Sequence, residues 1–131
     1  MIPFAAYSQI LKKDIDDKMV VLTFDDATAS QYSVVAPLLK QYNFGATFFI
    51  CEFQPNFSDS SKYMNWRQIK ELDKMGFELA NHTHNHPNVA KLAKKDFLKE
   101  LNYIENKFDS LDIGKSTSFA YPGYGISTSS L

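Results

Sequence analysis

Three histidines, His82, His84 and His86, fall within five consecutive residues and are the only histidines in the chain. Neutral imidazole is the commonest metal ligand in proteins. On a helical turn the i, i+4 spacing would bring His82 and His86 to one face, whereas in an extended segment all three rings would share a face. A polar surface loop is the alternative. The density of the cluster favours a metal site.

The adjacent carboxylates Asp25 and Asp26 form the second candidate group. Neighbouring side chains leave an extended strand in roughly opposite directions, so one carboxylate can face a metal while the other faces a bound water. A simple turn at a strand end is the alternative, and on its own the pair favours that turn. Two imidazoles and one carboxylate would leave coordination positions open, as a catalytic metal site requires and a structural site avoids.

Short apolar runs and amphipathic segments alternate along the chain and indicate the elements that position these residues. In chain order they are a strand at 19–24, a helix at about 34–42, a strand at 46–51, a helix from 66 to Gly76, a strand at 77–80, a helix at about 93–108 and a strand at 118–121. The run at 19–24 is typical of a strand covered on both faces. Asn65 and Gln68 have the spacing of a capping box, and Gly76 is typical of a helix end.

This order of elements predicts an α/β fold with a parallel sheet and right-handed crossovers. Ligands of such folds bind at the carboxyl ends of the strands. Polar groups follow three of the predicted strands, namely Asp25–Asp26, His82–His86 and Pro122–Tyr124. Sequence-distant groups that meet at one rim of a sheet are the pattern of a functional site.

Length and composition exclude several classes of protein. The chain has 131 residues, 44% of them hydrophobic, which predicts one globular domain with a sizeable core. A net charge of −1 indicates no nucleic-acid partner, and no apolar run is long enough to span a membrane. Cys51 is the only cysteine, so no internal disulfide is possible, and its place after an apolar run predicts a core residue. The first residues do not resemble a secretory signal.

Four segments, matched in order, resemble the polysaccharide deacetylases, the NodB-homology domains of carbohydrate esterase family 4. Thr23–Asp26, His82–Pro87 and Phe119–Gly123 resemble the first three motifs of that family. The segment before the histidine motif resembles the family's corresponding segment at Trp66–Leu72 and Met75–Ala80. The resemblance runs from about Lys18 to the C-terminus. It therefore predicts an N-terminal extension at 1–17 and a deacetylase domain at 18–131 that is incomplete at its C-terminus.

The resemblance implies a partial irregular (β/α) barrel that removes N-acetyl, and in some members O-acetyl, groups from a polysaccharide or oligosaccharide. It implies that Asp26, His82 and His86 bind a divalent metal, most commonly zinc and sometimes cobalt or nickel. Asp25 would be the general base, and the backbone N–H of Gly123 would bind the oxyanion. Substrate contacts are expected at Pro122 and Tyr124. The usual location of the family's members also implies an envelope-associated or secreted protein.

Two departures from the family pattern leave alternatives open. Ala120 and Tyr121 occupy the stretch where many members carry an arginine, and no histidine outside 82–86 can act as the family's general acid. We therefore expect a missing C-terminal segment, or a dimer partner, to complete the barrel. A catalytically silent glycan- or metal-binding module, or a deacylase of small non-glycan amides, are the alternative functions. Thr83 is expected to fix the histidine loop through its hydroxyl or to serve an ordinary turn.

Overall fold

The protein contains a parallel three-stranded sheet in a computed structural model that describes residues 17–52 and 56–123. The strands lie side by side in chain order as β1 (Thr23–Phe24), β2 (Thr47–Ile50) and β3 (Glu78–Asn81). Thr23 pairs with Thr47, and Ile50 pairs with Asn81. The predicted α/β fold with parallel strands is confirmed. Most of the predicted N-terminal extension, and Tyr124, lie outside the described residues.

The helices lie close to their predicted positions. A π-helical turn, Gln31–Val35, continues directly into α1 (Ala36–Gln41), and the longer helices are α2 (Trp66–Lys74) and α3 (Lys94–Ser110). The first helical segment begins at Gln31, before the predicted residue 34, and Pro37 lies within it. Proline has no N–H for the carbonyl four residues earlier, and the Ala36 N–H instead donates to Gln31 O in the wider π pattern.

The capping box predicted for the second helix is confirmed. The Asn65 side chain accepts the Gln68 N–H, and the Gln68 side chain accepts the Asn65 N–H, both at 3.0 Å. Gly76 follows the helix with φ +84°, a left-handed conformation that costs glycine little. This helix therefore begins at Trp66 because local hydrogen bonding, independent of the sheet, fixes its first turn.

One hydrophobic core joins the sheet to α2 and α3. Phe48 on the central strand is fully buried and lies between the rings of Phe24 and Phe77, with centroid distances of 5.1 and 5.3 Å. Fully buried residues of both helices belong to the same cluster: Ile69, Leu72, Ile104 and Phe108. Burial of such side chains stabilises the fold by about 1.5–3 kcal/mol each. This packing therefore fixes the positions of the carboxyl ends of the strands.

Two strand predictions are wrong in extent. Strand β1 has two residues, and the preceding Met19, Val20 and Val21 are 54%, 78% and 71% exposed instead of covered on both faces. The reason is that β1 is an edge strand, paired among the described residues with β2 alone. The strand predicted at 118–121 is a single bridge between Asn81 and Phe119, because Pro122 has no N–H with which to extend the ladder.

Candidate metal centre

Three of the predicted site residues lie together at the carboxyl end of the sheet. Asp26 Oδ1 is 3.4 Å from His82 Nε2 and 3.4 Å from His86 Nε2. One ligand atom from each residue lies within 4.8 Å of the others. His82 is almost completely buried, whereas the His86 and Asp26 side chains are 24% and 40% exposed. The group is therefore buried on the side of His82 and open to solvent on the side of His86 and Asp26, and it could hold a metal ion.

The backbone around these residues is neither helical nor extended. Asp26 and Ala27, just after β1, have φ angles of 73° and 51°, while Thr83 and His86, just after β3, have φ angles of 68° and 52°. Non-glycine residues rarely adopt these values, and for a β-branched residue the conformation is a clear outlier. Both geometries considered for the histidines, a helical turn and an extended segment, are therefore wrong. Backbone strain of this kind concentrates at functional sites.

A hydrogen bond fixes the orientation of the His82 ring. Its Nδ1 lies 2.8 Å from the backbone oxygen of Ala120. Because a carbonyl only accepts, Nδ1 carries a proton, and Nε2 is left directed at Asp26. The Nε2 atoms of His82 and His86 then face Asp26 Oδ1, an arrangement that requires a shared proton or a bound cation between them. This donor set fits a divalent metal such as zinc, and the bond to Ala120 is the outer contact typical of metal-binding histidines.

The electrostatics of the group agree with that requirement. A hydrogen bond from His82, followed by the charges of His86 and His82, lowers the pKa of Asp26 against the opposing effect of burial. Burial alone would lower the pKa of His82, but its hydrogen bonds to Asp26 and Ala120 outweigh burial and raise it. The half-buried Asp26 carboxylate thus attracts positive charge, which a proton or a metal ion can supply.

Cys51 lies behind the cluster, with its Sγ 3.9 Å from Asp26 Oδ1. Its complete burial confirms the prediction of a core residue. Burial, and then the charges of Asp26 and Asp25, raise the pKa of the Cys51 thiol, so the sulfur stays protonated. The thiol therefore contributes a weak donor to the carboxylate and no negative charge.

The remaining predicted residues surround this group less closely. Asp25 is exposed, and its backbone oxygen accepts a hydrogen bond from the side chain of the buried Gln31. Gly123 is exposed with φ +66°, and Pro122 is fully buried. Their segment reaches the site through the Ala120–His82 hydrogen bond. The roles of Asp25, Gly123 and Pro122 stay predictions, and Tyr124 lies outside the described residues.

Two residues of the histidine loop differ from what their types suggested: His84 is not a ligand candidate, and Thr83 lacks the expected hydroxyl bond. The His84 ring lies on the Tyr103 ring, at a centroid distance of 3.5 Å and an angle of 15°, outside the Asp26–His82–His86 group. The Thr83 hydroxyl is buried without a partner among the described residues, so the expected hydroxyl-to-backbone bond is absent there. Instead, the Thr83 N–H donates to Asn81 Oδ1 at 2.9 Å, which ties the loop to the end of β3.

Sequence reasoning missed a buried acid beside the histidine loop. Glu52 is 8% exposed, and its Oε2 accepts the Trp66 indole N–H and the Tyr103 hydroxyl, each at 3.0 Å. Trp66 also packs its ring edge against Phe108, as its predicted packing role requires. The available signal was positional, since Glu52 follows β2 at the same rim as the aspartates and histidines.

Comparison with known proteins gives the family. The family model for polysaccharide deacetylases matches residues 12–131. A peptidoglycan-N-acetylglucosamine deacetylase from Bacillus cereus is 31% identical over 107 residues, which cover 81% of this chain and 36% of that protein. The chain therefore belongs to the polysaccharide deacetylase family. A bifunctional xylanase/deacetylase from Pseudobutyrivibrio xylanivorans is 29% identical over 109 residues, 83% of this chain and 17% of that protein.

Solved structures agree with this assignment. The deacetylase PplD of Streptococcus pyogenes, in complex with acetate, superposes with a TM-score of 0.71 and 28% identity over 82% of this chain and 47% of that one. A mutant CE4 family pseudoenzyme with restored activity superposes with a TM-score of 0.67 and 27% identity over 80% of this chain and 36% of that one. The chain thus spans less than half the length of these relatives. In its described part, no helix has the length and apolar character needed to cross a membrane.

Proposed function

We propose that this chain forms part of a metal-dependent deacetylase that hydrolyses N-acetyl or O-acetyl groups on a polysaccharide. The single observation that carries the proposal is the convergence of His82 Nε2 and His86 Nε2 on Asp26 Oδ1, each at 3.4 Å. In this proposal these three residues hold a divalent cation, zinc before cobalt or nickel. Membership of the polysaccharide deacetylase family supports an acetylated glycan as the substrate class.

The chemistry needs an activated water and a stabilised oxyanion. A bound divalent ion supplies Lewis-acid polarisation and lowers the pKa of water from 15.7 to about 7. Asp25 is assigned as the general base because it is exposed, precedes Asp26 in the chain and has a charge that acts on His82, and such a base contributes about 10²–10⁴-fold. Gly123 is assigned as an oxyanion donor through its backbone N–H, a contribution of about 2.7–4 kcal/mol.

Two contacts of this chain support those roles. The Gln31 side chain holds the backbone oxygen of Asp25, so the base starts from a fixed main chain. The Ala120 carbonyl holds Nδ1 of His82 and connects the segment of Gly123 to a metal ligand. A change in the segment of Ala120 and Gly123 is therefore expected to alter the orientation of His82, and a change at His82 is expected to alter that segment.

Acetate release and metal content test the proposal together. The purified chain is expected to bind one zinc or cobalt ion and to release acetate from N-acetylglucosamine oligomers. Asp25→Asn should keep the metal and lose about 10²-fold or more in rate. His86→Ala should lose both, whereas Lys99→Ala, on the exposed side of α3, should lose neither. Unchanged rates in Asp25→Asn, or a chain that binds no metal, would contradict the assignment.

A catalytically silent glycan- or metal-binding module is the second candidate. The observation in its favour is that a CE4 family pseudoenzyme is among its structural relatives. Calorimetric titration with chito-oligosaccharides separates the two functions. Metal-dependent binding of the oligosaccharide without acetate release would favour the silent module.

A further inference from the structure

His84 is held at two points although it lies outside the candidate metal group. Its ring stacks on Tyr103, with centroids 3.5 Å apart and planes 15° from parallel. Its backbone oxygen accepts the Glu52 N–H at 2.8 Å. The residue midway between His82 and His86 is therefore fixed by both its side chain and its main chain.

The two anchors are themselves joined. The Tyr103 hydroxyl donates to Glu52 Oε2 at 3.0 Å, beside the indole N–H of Trp66. Burial and the hydrogen bond to Glu52 raise the pKa of Tyr103 to about 12, so the hydroxyl stays a donor. Lys107 Nζ lies 5.8 Å from the Tyr103 ring centroid and 5.6 Å from the Trp66 ring centroid, so it packs over both partners of Glu52. Glu52 thus holds His84 directly through the backbone and indirectly through the Tyr103 ring.

The ring nitrogens of His84 have no role in the cluster. Nδ1 lies 2.9 Å from the side-chain amide of Asn85, and Nε2 is buried without a partner among the described residues. An unpaired buried polar atom costs about 1–3 kcal/mol, so Nε2 works against stability. Neither ring nitrogen contacts the candidate metal group, whereas the flat ring makes the stack on Tyr103.

The loop needs an external support of this kind. Thr83 and His86, on either side of His84, both have left-handed backbone conformations, which persist only where surrounding contacts impose them. Asn85 supplies one such contact, since its N–H donates to Glu100 Oε2 at 2.7 Å. The Tyr103–His84 stack and the Glu52–His84 hydrogen bond supply the others.

We propose that His84 is a positioning residue that keeps His82 and His86 turned toward Asp26. Its ring is held by the stack on Tyr103 and its backbone oxygen by the Glu52 N–H. We call this arrangement the wedge. The inference rests on the metal site of the proposed function. It assigns His84 neither a ligand role nor an acid role, and it makes Glu52 and Tyr103 part of the support of the site.

Cobalt binding to the full chain tests the wedge, with affinity measured by chelator competition and geometry by the visible absorption of the bound ion. His84→Phe keeps a flat ring and is expected to bind cobalt within about 2-fold of the parent chain with the same spectrum. His84→Ala and Tyr103→Ala should weaken binding by about 10–100-fold, as loss of outer contacts typically does. Tyr103→Phe, which keeps the stack but loses the bond to Glu52, should fall between. Tyr42→Ala, which removes an exposed aromatic stack on Phe44, is the matched control.

Equal cobalt affinity in His84→Ala and the parent chain would overturn the proposal. A loss in His84→Phe as large as in His84→Ala would also overturn it, because the ring nitrogens would then be required.

Amide exchange of the metal-free chain separates this inference from the proposed function. His84→Ala and Tyr103→Ala should accelerate exchange of the Glu52 and Asn85 N–H groups, whereas Tyr42→Ala should not. Unchanged exchange would reject the wedge, even in a chain that binds metal. A parent chain that binds no metal would instead reject the proposed function, and the exchange result would still decide whether His84 supports the loop.

Discussion

The two ends of strand β3 both carry polar side chains, but they use them differently. At the amino end, Glu78 accepts hydrogen bonds from the hydroxyls of Thr47, Thr117 and Ser118 at 2.5, 2.5 and 3.0 Å. None of these four residues has a left-handed backbone. At this end, each of these hydroxyls donates a hydrogen bond directly to the Glu78 carboxylate, and the backbone shows no left-handed strain.

At the carboxyl end, buried polar atoms are left unmatched. The Thr83 hydroxyl and His84 Nε2 are buried without partners among the described residues, and Nε2 of His82 faces a carboxylate that another imidazole also faces. Two residues of this loop have left-handed conformations. Unpaired buried groups and backbone strain both oppose folding, so their occurrence together in one short loop favours a binding site over a structural polar cluster.

The largest expected effect comes from removing the buried ligand candidate. His82→Ala should abolish zinc binding and lower the free energy of unfolding of the metal-free chain by about 2–3 kcal/mol, because it opens a cavity and leaves the Ala120 carbonyl unpaired. His86→Ala should also abolish zinc binding but lower the unfolding free energy by only about 1 kcal/mol, since its side chain is 24% exposed. Calorimetry and urea unfolding measure the two quantities. Equal losses of stability would show that burial does not separate the two histidines.

Asn81 links β3 to the histidine loop and should follow in size. Its amide donates to Leu101 O at 3.0 Å and to Glu105 Oε1 at 2.7 Å, while its oxygen accepts the Thr83 N–H. Asn81→Ala is expected to lower the unfolding free energy by about 2 kcal/mol, because buried partners lose their hydrogen bonds.

Zinc affinity should fall with it, since the left-handed turn at Thr83 loses its tie to the strand. Asn102→Ala on the exposed side of α3 is the matched control and should change neither quantity. If Asn81→Ala destabilised the chain without changing zinc affinity, the strand end would be a structural support only.

Local signals were enough to predict much of the frame. The Asn65–Gln68 capping box and the helix end at Gly76 depend on residues a few positions apart, and both lie where the sequence predicts. The proximity of Asp26 to His82 and His86 followed from topology, because parallel strands bring their carboxyl ends to one rim. Sequence order therefore predicted which residues meet, together with the family motifs.

What sequence did not reveal depends on contacts between distant segments. Glu52 and Tyr103 are 51 positions apart, and His84 stacks on a helix whose apolar stripe alone was recognised. The left-handed turns at Thr83 and His86 are imposed by such contacts and run against residue type. The exposed run at 19–21 shows the same limit, since an apolar segment looks identical at the edge and in the centre of a sheet.

A pair of Thr→Val substitutions should sharpen the comparison between the two strand ends. Thr83→Val removes a buried hydroxyl that has no partner and is expected to raise the unfolding free energy of the metal-free chain by about 1 kcal/mol. Thr117→Val removes a hydroxyl that donates to Glu78 and should lower it by about 0.5 kcal/mol. Urea unfolding of both variants under one condition gives the signs. A loss of stability in Thr83→Val would mean that its hydroxyl is satisfied, and the contrast between the ends would be weaker.

The smallest expected effect is a pH dependence at the amino end. Hydrogen bonds from Thr117 and Thr47 lower the pKa of Glu78 below its ordinary value. Since the folded pKa is depressed, Glu78 adds stability above about pH 4.3, the value of an unfolded glutamate, and this contribution is lost as pH falls through the folded pKa. Solvent screening at this exposed position limits the contribution to about 1 kcal/mol or less.

Glu78→Gln keeps an oxygen acceptor for the hydroxyls but cannot ionise. Its unfolding free energy, measured in urea from about pH 7 down to about pH 2, should decline less in acid than that of the parent chain. Part of the decline should persist in Glu78→Gln, because Asp26, at the other end of the sheet, also has a lowered pKa. The hydrogen bond from His82 is the main cause of that lowering. Glu78→Gln combined with His82→Ala should remove both contributions additively, since sites without shared partners rarely couple. Parallel acid profiles for Glu78→Gln and the parent chain would show that the hydroxyl cluster stabilises β3 without depending on the charge of Glu78.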